Sequence, residues 1–327
     1  MHTVLSPGSA LFSSKKEETT PFSVTSPRDR MLSTSKQVVG MLAAAVSAAV
    51  LGGVAVEAEN GSNGNGDNGN KSSSSVVVLG AGGQTGKLVV KRLAALGVPA
   101  LPTMRSVNKK SAALFANLAN IDPPLAADVT DASSLKTVLK DAKTVIFAAS
   151  ASARGNAKEV DFLGLENVAK VCVDLKIPKL VVISSGAITR PDSIAFKFTN
   201  IFGNVMNYKL MGENAMKAVY ASSGDDSLSY VIVRPGGLLD GEAAGPAAME
   251  LNQGDTVSGE LSRDDVADCV VSAALSQVVP RRVTFELYTR SKRSVLQKTF
   301  PSLSGYERSG ASYDEMFKGL TAGDVVI

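Results

Sequence analysis

Short runs of aliphatic residues alternate with longer amphipathic stretches along most of the chain after residue 75. Each run is four or five residues long and largely apolar, which is typical of strands buried on both faces of a parallel sheet. The stretches between them have apolar residues at helical spacing, so the alternation predicts repeated βαβ units and an α/β fold with a doubly wound parallel sheet. The predicted strands are residues 76–79, 100–103, 144–148, 180–183 and 230–233, and the predicted helices are residues 87–96, 109–118, 132–139, 160–175 and 213–220.

The first 58 residues show a different pattern. Residues 1–37 are rich in Ser and Thr without a sustained period of 2 or 3.6, and they are interpreted as a targeting presequence. Residues 38–56 are uncharged and mostly Ala, Val and Gly, and as a helix they would measure about 28 Å, just enough to span a bilayer. Small residues follow, so residues 38–58 are predicted to be an apolar signal or anchor segment. A cleaved signal is favoured, and an uncleaved anchor is the alternative.

Residues 59–75 read ENGSNGNGDNGNKSSSS and offer no apolar side chain to a core. They are predicted to be a disordered linker, so that folding begins at residue 76. Residues 76–327 then suit a single domain with small C-terminal elements on the substrate side. A Ser/Thr-rich presequence before a signal-like segment predicts import into a plastid and then towards the thylakoid. The alternatives are the secretory pathway and membrane association through residues 38–56.

Composition excludes several kinds of chemistry. The single histidine, His2, lies at the extreme N-terminus and cannot serve a Ser-His-Asp triad or a His-rich metal site. Two cysteines, Cys172 and Cys269, are too few for a zinc cluster and lie in apolar stretches, which predicts buried thiols and no metal site. The formal net charge is +3, and the basic residues form no run longer than two, so a nucleic-acid partner is not indicated.

The sharpest motif lies between the first predicted strand and the first predicted helix, in VVVLGAGGQTGKLVVKRL. Glycines there allow a tight turn, a close approach to a pyrophosphate and close helix-to-strand packing, and the helix N-terminus offers free N–H groups to an anion. The place of the motif in a βαβ unit makes it more specific than glycine spacing alone. It predicts a Rossmann-like fold that binds a dinucleotide. The predicted cofactor-binding residues of this loop are Gly80, Ala81, Gly82, Gly83, Gln84, Thr85 and Gly86.

The glycine spacing resembles that of extended and atypical short-chain dehydrogenase/reductases, and a series of further motifs continues the resemblance to about residue 287. The chain is most similar to the NmrA-like, NAD(P)-binding group of the atypical family, and to its plastid members. The matching motifs are Asp128-Val129, Ala148-Ala149-Ser150, V-D-F-L-G at 160–164, V-V-I-S-S at 181–185, Lys209 with Glu213, Y-V-I-V-R-P-G-G at 230–237 and R-D-D-V-A at 263–267.

The resemblance implies roles for residues that follow the ends of predicted strands. Asp128 and Val129 would contact the adenine ring, and the segment Ala148-Ala149-Ser150 would pass the adenine ribose. Pro235 would lie beside the nicotinamide. An alternative for the segment around Pro235 is a tight loop, with Arg234 in a structural ion pair.

The end of the second predicted strand distinguishes the two dinucleotides. A NAD site usually has a carboxylate there for the ribose hydroxyls. This sequence has Arg105 instead, with Lys109 and Lys110 nearby, and the planar guanidinium suits a 2′-phosphate. NADP(H) is therefore predicted in preference to NAD(H), and a solvated surface arginine is the alternative.

Catalytic members of the family have a Tyr-x-x-x-Lys pair, in which the lysine lowers the pKa of the tyrosine and holds the nicotinamide ribose. Lys209 matches the lysine, but Val205 occupies the tyrosine position. Tyr208 would point to a different side of a regular helix, so it replaces the missing acid only where the helix is irregular. Ser184 and Ser185 are candidates to orient a carbonyl, or they satisfy the end of a strand.

Two functions fit these residues. The first is an NADPH-dependent reductase of an unknown small carbonyl or quinone-like substrate, with the proton supplied by Tyr208, a serine or water. The second is a non-catalytic NADP(H)-binding redox sensor or scaffold at a plastid membrane, with a protein partner. The absent tyrosine favours the second, whereas the glycine loop, Lys209 and the serines fit both.

Overall fold

The structure, a computed structural model, describes residues 75–151, 155–201, 203–296 and 307–325. The segments interpreted as presequence, as signal or anchor, and as linker lie outside the described residues, except for Ser75. The described residues belong to one compact unit. Within them, we find no helix long and apolar enough to cross a membrane.

A mostly parallel sheet forms the centre of the fold. The strands are β1 Val76–Leu79, β2 Ala100–Met104, β3 Leu125–Ala126, β4 Thr144–Phe147, β5 Lys179–Ile183, β6 Ser229–Pro235, β7 Gly237–Leu239, β8 Met249–Asn252, β9 Val257–Ser258, β10 Glu260–Ser262, β11 Val283–Thr289 and β12 Ser294–Val295. Eight of them form one sheet in the order β3-β2-β1-β4-β5-β6-β11-β8, in which the β11–β8 pair is antiparallel and the rest are parallel. The remaining strands form two small pairs, β7 with β10 and β9 with β12. The predicted Rossmann-like, doubly wound sheet is confirmed, and its order reverses between β1 and β4, where such folds bind their ligands.

Helices cover both faces of this sheet. The α-helices are α1 Gln84–Ala95, α2 Lys109–Ala112, α3 Ala132–Leu139, α4 Leu165–Asp174, α5 Ile194–Asn200, α6 Val205–Ser222, α7 Arg263–Leu275 and α8 Tyr313–Phe317, and a π-helix spans Lys158–Gly164. Alternate residues of β1 enter opposite cores, because successive side chains of a strand point to opposite faces. Val76 and Val78 pack with α1, α7 and α8, whereas Val77 and Leu79 pack with α3, α4 and α6. The two cysteines are buried thiols, one in each core, as predicted.

Three predicted helices differ from the structure. The helix predicted over residues 109–118 ends at Ala112. Among residues 113–118 only Phe115 is fully buried, so there is no continuous apolar stripe to extend the helix. The stretch 160–175 is divided into the π-helix and α4. The helix predicted over 213–220 extends from Val205 to Ser222. Its first two turns bury only Met206 and Gly212, so they show no apolar stripe in the sequence.

Candidate dinucleotide site

Two close approaches shape the glycine loop between β1 and α1. Gly80 has φ +83, which residues with a side chain rarely adopt, and a Cβ there would lie 2.6 Å from Cα of Ala149. A Cβ on Gly86 would collide with the carbonyl oxygen of Gly80. The packing of the loop against the end of β4, and of α1 against β1, therefore requires both glycines.

Gly82 is different, because a Cβ there would meet only the Met104 side chain, at an ordinary 3.5 Å. Packing within the chain does not explain its missing side chain, whereas the close approach of a pyrophosphate would require one to be absent. Gly83 is exposed and precedes α1, which within the described chain has no side-chain cap there and no acidic residue in its first turn. The positive end of the helix dipole is thus open to an anion, and these residues fit the phosphates of a dinucleotide.

Backbone hydrogen bonds hold the loop in place. The N–H groups of Gly80 and Ala81 both donate to the Thr103 carbonyl, at 3.1 and 2.9 Å, and Gly83 N donates to the Gly80 carbonyl at 3.0 Å. Ala81 is buried beneath the loop. Gln84 and Thr85, the two remaining residues of the predicted set, are the first residues of α1. Gln84 is exposed and Thr85 is half-buried.

Two other predicted segments follow the ends of strands near β1. Ala148 N donates to the carbonyl of the last residue of β1 at 2.9 Å, which holds Ala148 and Ala149 beside the glycine loop. Asp128 follows β3, and its Oδ1 accepts from N and Oγ1 of Thr130 at 3.0 and 2.8 Å. The Asp128 carboxylate therefore closes its own turn, next to buried Val129.

Arg105 directly follows the last residue of β2 and is exposed. Lys109 and Lys110 are also exposed, on the single turn of α2. The Asn108 side chain caps this turn by accepting from Ser111 N at 3.0 Å. The structure therefore presents a short cationic segment to solvent at the end of β2.

Asp161 is a site residue to which the sequence assigned no chemical role. Its side chain is completely buried in the π-helix. Oδ1 accepts from Ser150 Oγ at 2.7 Å and from Lys209 Nζ at 2.9 Å, and Oδ2 accepts from Ala151 N at 3.0 Å. We call Lys209, Asp161 and Ser150 the Lys209 cluster. It ties the segment after β4, where the adenine ribose is expected, to α6.

Glycines allow the π-helix to lie close to its neighbours. A Cβ on Gly212 of α6 would collide with the carbonyl oxygen of Asp161, and a Cβ on Gly164 would lie 2.6 Å from Cγ2 of Val129.

The sequence signal for the Lys209 cluster was a single acid within the largely apolar V-D-F-L-G, since an acid in a buried helix needs a partner.

The predicted tyrosine replacement is not favoured by the helix. α6 is a regular α-helix from its first residue, Val205, so at about 100° per residue Tyr208 points to a different side from Lys209. Tyr208 could replace the missing tyrosine only if the helix were irregular, and α6 is regular at this point. Val205 and Tyr208 are both half-buried.

The two serines after β5 differ from each other. Ser184 is buried, and its hydroxyl faces the Glu213 carboxylate. Among the described residues, no partner of this hydroxyl meets the distance and angle criteria of a hydrogen bond. Ser185 is half-buried, and its Oγ donates to the Gly186 carbonyl at 3.2 Å. Pro235, at the end of β6, accepts from Gly186 N at 2.8 Å. Pro235 therefore lies beside the two serines, at the edge where the nicotinamide is expected.

A second group of buried charges, which we call the Arg234 cluster, consists of Arg234, Glu213 and Glu286. Arg234 donates from Nε and Nη2 to the two Glu213 oxygens, at 3.2 and 2.6 Å, and from Nη1 to Glu286 Oε1 at 3.3 Å. Lys217 adds a weaker contact to Glu213 at 3.5 Å and binds Asp324 at 2.7 Å. The ion pair of Arg234, one of the two alternatives at this position, is therefore found.

The two acids of the Arg234 cluster differ in pKa. Burial acts to raise the pKa of Glu213, but the charge and hydrogen bonds of Arg234 outweigh it and hold that pKa below its usual range. Burial and the nearby Asp255 charge raise the pKa of Glu286 to about 8, because Arg234 offsets them only in part. Glu286 therefore keeps its proton to a higher pH than Glu213 does.

The glycine loop, the reversal of strand order beside it and the open end of α1 define a dinucleotide-binding protein of the Rossmann type. The chain belongs to the NAD(P)H-binding family, whose model matches residues 80–277. An uncharacterized chloroplastic protein of Arabidopsis thaliana is 32% identical over 222 residues, which cover 63% of this chain and 73% of that relative. The resemblance drawn from the sequence is confirmed.

Solved structures share the fold at low identity. An anaerobilin reductase from Escherichia coli O157:H7 is 21% identical with a TM-score of 0.52, covering 69% of this chain and 99% of that one. A short-chain dehydrogenase/reductase from Veillonella parvula, in complex with NADP, is 14% identical with a TM-score of 0.51, covering 69% and 98%. At these identities the structures support the fold alone, a mostly parallel sheet flanked by helices.

Proposed function

We propose that the protein is an NADPH-dependent reductase of a small carbonyl or quinone-like substrate. The observation that carries the dinucleotide-binding part of this proposal is the Lys209 cluster, in which a nearly buried lysine is held at 2.9 Å by Asp161 between α6 and the segment after β4. A lysine fixed in this way can donate to the ribose hydroxyls of a dinucleotide that lies on the glycine loop. Bound NADPH would supply the hydride.

The chain's own residues then divide the remaining work. Lys209 holds the ribose, and Ser185 orients the substrate carbonyl. Ser184 is turned towards Glu213, and Tyr208 lies on another side of α6, so water at Ser185 is favoured as the proton source over either of them.

Arg105 supports the choice of NADPH, because its exposed guanidinium follows β2 where a 2′-phosphate is expected. Lys109 and Lys110 add positive charge to the same segment. We also propose a plastid location, supported by the Ser/Thr-rich presequence and by the chloroplastic relative. A thylakoid step or membrane association would depend on residues 38–56.

A non-catalytic NADP(H) sensor is the second candidate, and one observation favours it. Val205 stands one turn before Lys209, where catalytic members have the tyrosine. Such a protein would bind NADPH without turnover and use its occupancy to change the affinity for a partner.

Incubating the full chain with NADPH and a panel of carbonyls and quinones, while recording binding and oxidation together, separates the two. The proposal predicts saturable binding and substrate-dependent loss of NADPH. Binding without oxidation across the panel would favour the sensor, and an absence of binding would exclude both.

A further inference from the structure

One buried carboxylate fixes the loop that follows Ser185. Asp255 Oδ1 accepts from Ala187 N at 2.6 Å, and Oδ2 accepts from N and Oγ1 of Thr189, both at 2.8 Å. Asp255 and Ala187 are fully buried. All three hydrogen bonds are donated by the loop, so the loop is held by the charge of a carboxylate that lies 66 to 68 residues away in the sequence.

The backbone at this contact is strained on both sides. Asp255 has φ +54 and Ala187 has φ +65, a region that residues with a side chain rarely adopt. Such conformations persist only where the surroundings over-determine them, and they gather at functional sites.

Asp255 also links the loop to the Arg234 cluster. Its N–H donates to Glu286 Oε2 at 3.0 Å, and the other Glu286 oxygen accepts from Arg234. Arg234 in turn is bonded to both oxygens of Glu213, one helical turn after Lys209 on α6. A continuous path of hydrogen bonds therefore joins residues 187–189 to the helix that carries Lys209.

We propose that Asp255 is a positioning residue, which holds residues 186–190 against the Arg234 cluster and thereby sets where Ser185 stands relative to Lys209. Asp255 is buried and acts through the loop. That this loop borders the substrate rests on the proposed function. The positioning of the loop does not, and it can be measured on its own.

Hydrogen exchange on the full chain tests the positioning. Asp255→Asn replaces one acceptor oxygen by an amide group that cannot accept from a loop N–H. We expect the amides of residues 186–190 to exchange at least tenfold faster, with β1 and α1 unchanged. Asp192→Asn, at an exposed acid of the same connection, is the matched control and should exchange like the wild type. Wild-type exchange of the loop in Asp255→Asn, or an equal increase in β1, would overturn the proposal.

If Asp255→Asn does not fold, Thr189→Val carries the same test, since it removes only the Oγ1 hydrogen bond. Loop exchange should then rise about threefold, and no change would overturn the proposal. With an active substrate from the panel, the folded variant should raise the KM of that substrate at least fivefold and leave the KM of NADPH unchanged. A shift in both constants, or in neither, would contradict the proposal. A chain that never oxidises NADPH would remove the reductase function, while the exchange result would still decide the role of Asp255.

Discussion

Lys209 and Glu213 lie one turn apart on α6, yet they enter buried charge clusters of different kinds. In the Lys209 cluster one carboxylate receives three donors at 2.7 to 3.0 Å, so its charge is fully compensated. In the Arg234 cluster two acids share one guanidinium, and burial together with the nearby Asp255 charge raises the pKa of one of them, Glu286. One helix therefore carries a balanced ion pair at Lys209 and, one turn later, a cluster with more acids than cations at Glu213.

The largest expected effect comes from removing the cation of the acid-rich cluster. Arg234→Met leaves two buried acids without their partner, so we expect the free energy of unfolding to fall by about 3–5 kcal/mol. Denaturant unfolding measures this loss. Lys136→Met breaks a pair whose side chains are both more than half exposed and should cost less than about 1 kcal/mol. Similar losses for the two variants would show that the Arg234 cluster is not a buried network.

The next largest effect is expected on NADPH binding. If Arg105 pairs with the 2′-phosphate, Arg105→Ala should weaken NADPH binding by about 1.5–3 kcal/mol, as expected for a charge-assisted hydrogen bond. NADH, which lacks that phosphate, serves as the internal control and should bind the variant and the wild type alike. An equal loss for both dinucleotides would contradict the assignment of Arg105.

The pKa of Glu286 predicts how stability changes with pH. Its folded-state pKa of about 8 lies above the usual 4.5, so between these values the folded chain holds a proton that the unfolded chain has released. Raising the pH in this window therefore favours unfolding, by up to about 1.4 kcal/mol per pH unit. The groups that face Glu286 are Asp255 and Arg234, with Glu213 beyond them. Unfolding at pH 6 and 7 should show this slope in the wild type, and Glu286→Gln should lack it.

The smallest effect is expected on turnover when Tyr208 is changed, because Tyr208 lies on a side of α6 that points to neither cluster. Tyr208→Phe keeps the ring and removes the phenol, and because Tyr208 points away from Lys209, turnover should fall less than about threefold. A single general acid usually contributes about 10²-fold or more. A loss of turnover of that size, measured with an active substrate, would identify Tyr208 as the proton donor. It would contradict the assignment of water at Ser185.

The cofactor half of the fold could be predicted because its signals are local. The runs of β1 and β4 are apolar over consecutive residues, and the glycine spacing encodes backbone contacts between neighbouring elements. The C-terminal half of the fold depends on partners far apart in the chain. Arg234 meets Glu213 and Glu286 at separations of 21 and 52 residues, and Asp255 meets the loop at 66 to 68.

Asp161 shows where sequence reasoning on the site stopped. A carboxylate in the helix motif V-D-F-L-G fits a role in placing a helix, and only the folded chain shows that Lys209, 48 residues later, is its partner. The first two turns of α6 were missed because they bury only Met206 and Gly212, and because Lys209 is held by its ion pair with Asp161 rather than by apolar packing.

The most direct test of the difference between the two clusters is the NADPH dissociation constant of Lys209→Met, measured beside Glu286→Gln and the wild type. Our account predicts that Lys209→Met binds NADPH at least about tenfold more weakly, the loss of one charge-assisted hydrogen bond, and that Glu286→Gln binds it like the wild type. Asp161→Asn should weaken binding in the same direction, because it frees Lys209. Wild-type affinity in Lys209→Met, or an equal loss in Glu286→Gln, would contradict the account.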